Sequence, residues 1–196
     1  GQWKRQWLNA FEKGTRQMVP AQIDVNNPGL TGAVQNQPDF QAGAADHRTH
    51  VVAAVPTLVR QTIAEYSALT GRQYSPVHTF MCDDADTVMV GLGSVTDDAE
   101  AVVSYLRSKG QKVGVVSIKL LQPFPEAEVV AALAGKKAVT VLERSDQTAL
   151  TTLVTQALFK ARENGDLKKG EAERHAGIPG IKASPKLTTA IFGLGG

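Results

Sequence analysis

The sequence predicts an α/β fold: a small doubly wound, mostly parallel, Rossmann-like sheet over residues 72–196, preceded over residues 1–71 by an irregular extension and one helix. Three observations carry this expectation. Short β-branched apolar runs recur from residue 87 onward, helical stretches separate them, and a glycine closes each of the helices. Runs that are apolar without alternation belong to strands buried on both faces. Strands joined through helices run parallel, so helices have to cover both sides of the sheet.

Up to residue 50 the periodicity is weak and breakers are frequent, namely Pro20, the Asn26-Asn27-Pro28-Gly29 step, Gly32, Pro38 and Gly43. The stretch reads as mostly extended and loop-rich. It has too little regularly spaced apolar surface to offset its own ordering entropy and is expected to lie across a neighbouring domain. From residue 56 to 70 the pattern becomes helical, with Leu58, Val59, Ile63, Tyr66 and Leu69 on one stripe, Pro56 in the first turn and Gly71 as C-terminal cap. Residues 87–92 form the first strand. Gly91-Leu92-Gly93-Ser94 then leads into a helix over 97–108, closed by Lys109-Gly110. A second strand over 112–118 is followed by Pro123-Phe124-Pro125, a helix over 126–134, and Gly135. The third strand covers 138–142, a third helix 148–164 stops at Gly165, and a last strand covers 187–192.

With 196 residues, 42% of them hydrophobic, the chain has material for one ordinary core and an appendage. The charges nearly balance, 21 Lys+Arg against 19 Asp+Glu, and a net +2 offers no field for a phosphate backbone or an anionic membrane surface. Aromatic residues make up 6% and are scattered, so there is no stacking platform for single strands, and nucleic acid is not expected as a partner. The one cysteine, Cys82, forms no internal disulfide and by itself holds neither an iron–sulfur cluster nor a structural zinc, which suits a reducing compartment. No apolar window is long enough to span a bilayer and no signal peptide opens the chain, so a soluble, cytoplasmic protein is expected. The chain begins Gly1-Gln2-Trp3 and ends Gly193-Leu194-Gly195-Gly196 directly after an apolar run, and both ends read as cut from something longer.

Four constellations carry chemistry on paper. Gly91-Leu92-Gly93-Ser94 stands where a dinucleotide loop would stand, but Thr96 replaces the third glycine of the fingerprint. Asp97-Asp98 already supply negative charge to the helix start, and the second strand ends on Ser117-Ile118-Lys119 without a ribose-binding carboxylate. A structural tight turn is expected. Asp46-His47-Arg48-Thr49-His50 sets two histidines three apart beside a carboxylate, but no third strong ligand is near in sequence, His78 and Cys82 being remote. A surface role is expected. Cys82-Asp83-Asp84-Ala85-Asp86 lacks the glycine and terminal glutamate of a calcium loop and reads as a solvated turn. Glu143-Arg144-Ser145-Asp146 follows the third strand at its carboxyl end, where ligands gather in open α/β sheets; with no nucleophile or metal cluster beside it, a salt-bridge or interface role is expected. No catalytic, cofactor-binding or metal residue is therefore assigned.

A series of stretches resembles the pyruvate (2-oxoacid):ferredoxin or flavodoxin oxidoreductase family, at the end of its first domain and in its core domain II. Thr31-Gly32-Ala33-Val34-Gln35-Asn36-Gln37-Pro38-Asp39 is similar to the family's Gly-Thr-x-Gln-Asn-Pro-Asp, with Gln37 inserted and Ala33 where Thr is usual. Leu69-Thr70-Gly71-Arg72-Gln73-Tyr74 resembles Leu-Thr-Gly-Arg-x-Tyr and leads to the Asp84-Ala85-Asp86 turn. Met89-Val90-Gly91-Leu92-Gly93-Ser94 is similar to the family's apolar strand ending in Met-Gly-Ser, and Lys109-Gly110-Gln111-Lys112-Val113-Gly114 follows it. Lys119-Leu120-Leu121-Gln122-Pro123-Phe124 resembles Arg-Leu-x-x-Pro-Phe, Leu142-Glu143-Arg144-Ser145 resembles Leu-Asp/Glu-Arg-Thr, and Phe192-Gly193-Leu194-Gly195 resembles Tyr-Gly-Leu-Gly. After Arg144 the family carries Glu-Pro, whereas this chain has Asp146-Gln147-Thr148 beyond Ser145.

The resemblance implies a fragment of an enzyme that oxidatively decarboxylates a 2-oxoacid to acyl-CoA. It implies thiamine diphosphate, Mg, 4Fe-4S clusters and coenzyme A for the full enzyme, with none of these held by this chain. Residues 1–71 would be the tail of the preceding pyruvate/thiamine-type domain. Residues 72–196 would be core domain II, which is transketolase C-terminal-like and largely architectural. The implied partners are the remaining domains, a homodimer mate, and ferredoxin or flavodoxin as electron acceptor. Two alternatives stand beside this reading: the C-terminal domain of another thiamine-dependent, transketolase-like enzyme, and an independent nucleotide-binding module.

Overall fold

The structure is a computed structural model and describes Asn26 and residues 34–194. The chain divides into two compact units, Gly1–Tyr74 and Ser75–Gly196.

In the first unit, α1 (Gln37–Asp46) continues through a π turn (His47–Val51) and a 3-10 turn (Val52–Ala54) into α2 (Val55–Thr70). The expectation of an extended segment is therefore overturned for residues 37–50. The breakers there fall where a helix tolerates them. Pro38 sits in the first turn, where its missing N–H has no partner to lose, and Gly43 is followed by two alanines. The other breakers, Pro20, Pro28-Gly29 and Gly32, lie outside the described residues. The α2 helix starts and stops as its sequence demands, with Pro56 in the first turn and Gly71 at φ 70 donating its N–H to the Ser67 carbonyl at 2.9 Å. Neither helix buries a residue within this unit. The Tyr66 and Tyr74 rings pack tilted at 5.2 Å between centroids.

The second unit is built on a five-stranded sheet in the order β1-β3-β2-β4-β5. Its strands are β1 (Val77–Phe80), β2 (Thr87–Leu92), β3 (Val113–Ile118), β4 (Ala138–Glu143) and β5 (Lys186–Ile191). The β2–β3, β2–β4 and β4–β5 pairs are parallel; β1 runs antiparallel to β3 at the edge. Helices α3 (Val95–Ser108), α4 (Glu126–Leu133) and α5 (Ala149–Gly165) make the crossovers. Each predicted strand and helix of this unit is present to within two residues. Only β1 was not anticipated, because four residues at an edge, His78 and Thr79 among them, carry no apolar run.

Alternation along β2 shows why helices must cover both faces. Val88 and Val90 point with Val116, Ile118, Val139 and Val141 into a core closed by Val129, Val130 and Leu133 of α4 and by Leu150, Val154 and Leu158 of α5. Met89 points the other way, with Val115, onto Ala99 and Val103 of α3. Each valine wholly withdrawn from water in this way is worth about 1.5–3 kcal/mol. The doubly wound, mostly parallel architecture is thus what the sheet displays.

Two polar clamps hold the connections. At the end of α3, Arg107 donates from Nε to the Val113 carbonyl (2.7 Å), from one terminal nitrogen to Met81 O (2.6 Å) and from the other to Asp84 Oδ2 (2.9 Å). The Cys82-Asp83-Asp84-Ala85-Asp86 stretch is therefore only half the solvated turn expected of it. Its carboxylates face outward, but Cys82 and Ala85 are buried, and the thiol donates to Val115 O at 3.2 Å. Burial pushes that thiol's pKa up. At the end of α5 the buried Asn164 uses its whole amide. Its Nδ2 donates to the carbonyls of His175 (2.7 Å) and Ile178 (2.8 Å), and its Oδ1 accepts from the N–H groups of Arg174 and His175 at 3.0 Å each. The clamp brings the returning chain so close that a Cβ on Gly165 would stand 1.9 Å from the Ile181 carbonyl oxygen.

Two outcomes follow from these clamps. Gly165→Ala is expected to lower unfolding free energy by about 3 kcal/mol or more, since the obstruction is backbone and cannot rotate away; urea denaturation measures it, and a loss within experimental scatter contradicts the close approach. The Arg107 guanidinium holds the Asp84 carboxyl below its ordinary range. A carboxyl whose pKa is lowered on folding adds stability above its unfolded pKa and loses it as pH falls through the folded value. Arg107→Gln should therefore return the Asp84 titration toward about 3.9 in side-chain NMR, and an unmoved titration rules the pairing out.

Candidate functional site

The carboxyl ends of β2, β3, β4 and β5 meet where the chain reverses its direction of winding: β3 lies on one side of β2 and β4 on the other. Ligands of open α/β sheets collect at such an edge.

The glycine turn after β2 is occupied by the protein's own atoms. Thr96, fully buried, donates its hydroxyl to the Gly93 carbonyl at 2.8 Å and lies 2.8 Å from the Ser117 hydroxyl on β3, which then donates to it. Its methyl group fills the space beside Gly91, where a Cβ would meet Thr96 Cγ2 at 2.9 Å. The two glycines are thus required for different reasons: Gly91 leaves room for Thr96, and Gly93 takes φ 84 with open space around it. Asp97 and Asp98 stand in the first turn of α3. The turn is built to hold strand against helix, and a phosphate would meet both a filled cradle and two carboxylates.

Past the end of β4, the stretch singled out in the sequence is split between two environments. Glu143 is buried at 5% exposure, and its Oε1 accepts the Thr151 N–H of α5 at 2.6 Å. Thr148, the N-cap residue, makes no capping hydrogen bond, so a carboxylate from the strand supplies the acceptor at this helix start. Ser145 is tied locally, its Oγ accepting the Gln147 N–H at 3.0 Å. Arg144 is exposed, and among the described residues no hydrogen bond or ion pair holds its guanidinium. Of the salt-bridge or interface role expected for Glu143-Arg144-Ser145-Asp146, no ion pair is formed by these residues among the described residues, and Glu143 serves the helix.

Between these elements lies a crevice of about 260 Å³. Leu92, Leu121, Leu142, Leu150, Leu153 and Phe192 make its apolar wall, and Glu143, Arg144 and Ser145 lie along one side. The polar side is legible in the sequence, whereas the wall is not. Leu121 and Phe192 sit in irregular segments just past the ends of β3 and β5, where no periodicity marks a residue as facing a neighbour.

The remaining candidates are dispersed. His50 pairs with Asp46 at 3.6 Å along one helical face and both are exposed, whereas His78 stands 3.5 Å from Glu100 in the other unit. Among the described residues no three His, Cys, Asp or Glu side chains converge as a metal ion requires. No described helix is long and apolar enough to cross a membrane.

Comparison with known proteins points in one direction. Residues 85–179 match the family described as pyruvate:ferredoxin oxidoreductase core domain II. A probable pyruvate-flavodoxin oxidoreductase of Escherichia coli is 31% identical over 179 residues, covering 87% of this chain and 15% of that protein. The pyruvate synthase subunit PorA of Methanothermobacter thermautotrophicus is 28% identical over 123 residues, covering 63% of this chain and 32% of the subunit. The chain thus spans about a third or less of the length of these relatives. A solved 2-oxoglutarate:ferredoxin oxidoreductase from Magnetococcus marinus aligns over 83% of this chain and 22% of its own, at 20% identity and a TM-score of 0.47.

The filled turn yields a direct test. Thr96→Gly restores the glycine spacing of a dinucleotide loop, yet it should only remove packing and the Ser117 hydrogen bond, lowering stability by about 1–3 kcal/mol. Calorimetric titration of the folded variant with NAD is expected to show no saturable heat. Micromolar binding would mean that Thr96 alone had been blocking a nucleotide site.

Proposed function

We propose, from the match of residues 85–179 to pyruvate:ferredoxin oxidoreductase core domain II, that the chain is the architectural core domain II, with the tail of the preceding domain, of an enzyme that oxidatively decarboxylates a 2-oxoacid to acyl-CoA. Pyruvate is the favoured substrate, since it appears in the names of the curated relatives. Their names likewise make ferredoxin or flavodoxin the electron acceptor of the whole enzyme. An alignment covering 87% of the chain is longer than the α/β unit alone and takes in part of the first unit. This supports a boundary near residue 72, with residues 1–71 as the end of the thiamine-type domain. A homodimer, a cytoplasmic location, and no nucleic acid or membrane partner complete the proposal.

The observation that carries the architectural role is how the polar groups at the carboxyl edge are spent. Thr96 and Ser117 satisfy each other, Glu143 starts α5, and Ser145 holds its own loop. These four groups are thus each engaged by the fold, while Arg144 beside them keeps its donors unspent among the described residues. The residues here do not fit the family's iron–sulfur clusters. A cubane cluster requires about four thiolates, and the sole cysteine of the chain, Cys82, has its thiol turned into the core. The nucleotide-module alternative is disfavoured by the filled glycine turn, and the core domain II match favours this family over other transketolase-like enzymes.

The test compares two proteins. The coding sequence on either side of this chain should supply cluster cysteines and a thiamine site, and the full-length product should bind iron and reduce a viologen dye with pyruvate and coenzyme A. The 196-residue chain alone should do neither. Stoichiometric iron, or 2-oxoacid-dependent dye reduction by the chain alone, would refute the architectural role. A full-length product without either activity would refute the enzyme assignment.

A further inference from the structure

We propose that the crevice at the carboxyl edge of the sheet is a docking site for an acidic, apolar protein segment from a neighbouring domain. An apolar side chain would enter between Leu121 and Phe192, and an adjacent carboxylate would pair with Arg144. The inference rests on the architectural reading above and goes further by naming the surface that makes the contact and the chemistry of what it meets.

The crevice is small. At about 260 Å³ the crevice falls short of the roughly 300–1,000 Å³ typical of cofactor and drug-sized sites. It is open enough at its rim to leave Leu92 at 44% and Leu121 at 45% exposure. Singly exposed leucines are ordinary, but two at the mouth of one apolar concavity, with Phe192 behind them, are what a side chain inserted from another surface would cover.

Arg144 gives the partner its charge. Its stem lies along the backbone of Gly193, where a Cβ would stand 3.4 Å from Arg144 Nε and 3.6 Å from Cγ. The guanidinium is thereby set at the crevice with its donors unspent among the described residues. The carboxylate next to it in sequence, Glu143, is committed to the Thr151 N–H and buried. A planar, pre-positioned guanidinium beside an apolar concavity favours a carboxylate that reaches it bidentately, and arginine is among the residues enriched at interface hot spots. The two features together select a segment in which an acidic residue flanks a large apolar one.

The test uses the ¹⁵N-labelled 196-residue chain and the peptide acetyl-Glu-Leu-Phe-Glu-amide. Amide shifts at residues 142–145 and 192–194 should move saturably. The acetyl-Gln-Leu-Phe-Gln-amide peptide, or the Arg144→Gln chain, should bind about tenfold more weakly, the loss of one charge-assisted contact. Leu121→Ser should weaken the peptide while leaving other amides in place, which shows the variant folded. Absence of saturable shifts, or equal affinity of Arg144→Gln, overturns the proposal. So does 4-methylpentanoate binding as tightly as the peptide, which would make the crevice a site for small free acids. Thiamine diphosphate and coenzyme A are titrated in parallel. Saturable shifts with either would overturn the architectural reading itself, whereas failure of the peptide alone overturns only the docking site.

Discussion

The α/β unit depends on one strand being paired on both sides in the same direction. In β2, Val90 stands in register with Val116 of β3 and with Val141 of β4, and both ladders are parallel. A strand in that position has neither a free edge nor a wet face, so every connection must leave the plane of the sheet and return above or below it. The chain meets the requirement by sending α3 over one face and α4 and α5 over the other. Because the two sides are wound oppositely from β2, the carboxyl ends of the strands are left splayed. The crevice beside Leu92 and Leu142 is therefore a product of topology before it is a product of any particular side chain.

Burial on both faces is also why this unit was legible in its sequence. Stretches such as 87–92 and 113–118 are apolar without interruption, and glycines fall where helices must stop, so pattern and punctuation agree. What escaped notice lacked one of these supports. The edge strand β1 is short and buried on neither side as a β2 residue is, and its antiparallel pairing is settled by β3, far away in the chain. The helical character of residues 37–54 is masked because Pro38 and Gly43 are helix breakers by type but stand where a helix tolerates them. Side-chain partners were the least legible. Nothing local in Glu143-Arg144-Ser145-Asp146 reveals that Glu143 turns inward to a helix while Arg144 turns out over Gly193, since the next strand fixes both.

The same economy bears on how such a domain serves an enzyme. Polar side chains that in a catalytic sheet would face a substrate are here satisfied within the fold across short distances, Thr96 by the Ser117 hydroxyl and Glu143 by the Thr151 backbone N–H. Each such bond adds about 0.5–1.5 kcal/mol to the fold and withdraws a group from chemistry. An edge of this kind fits the architectural role proposed for a chain whose residues 85–179 match core domain II.

The Asn164 clamp has a consequence for how this domain can change over evolutionary time. The connection from α5 to β5 has two halves under different rules. Residues 174–181 are fixed to the amide of Asn164 and pressed against Gly165, so they set where β5 enters its ladder with β4. Residues 167–173 lie upstream of that anchor, mostly exposed and joined chiefly to one another. Lengthening the first half by several residues leaves the strand in register, whereas adding a single residue to the second would turn the inward side chains of β5 outward. Variation in length among homologous domains should therefore collect on one side of a single asparagine.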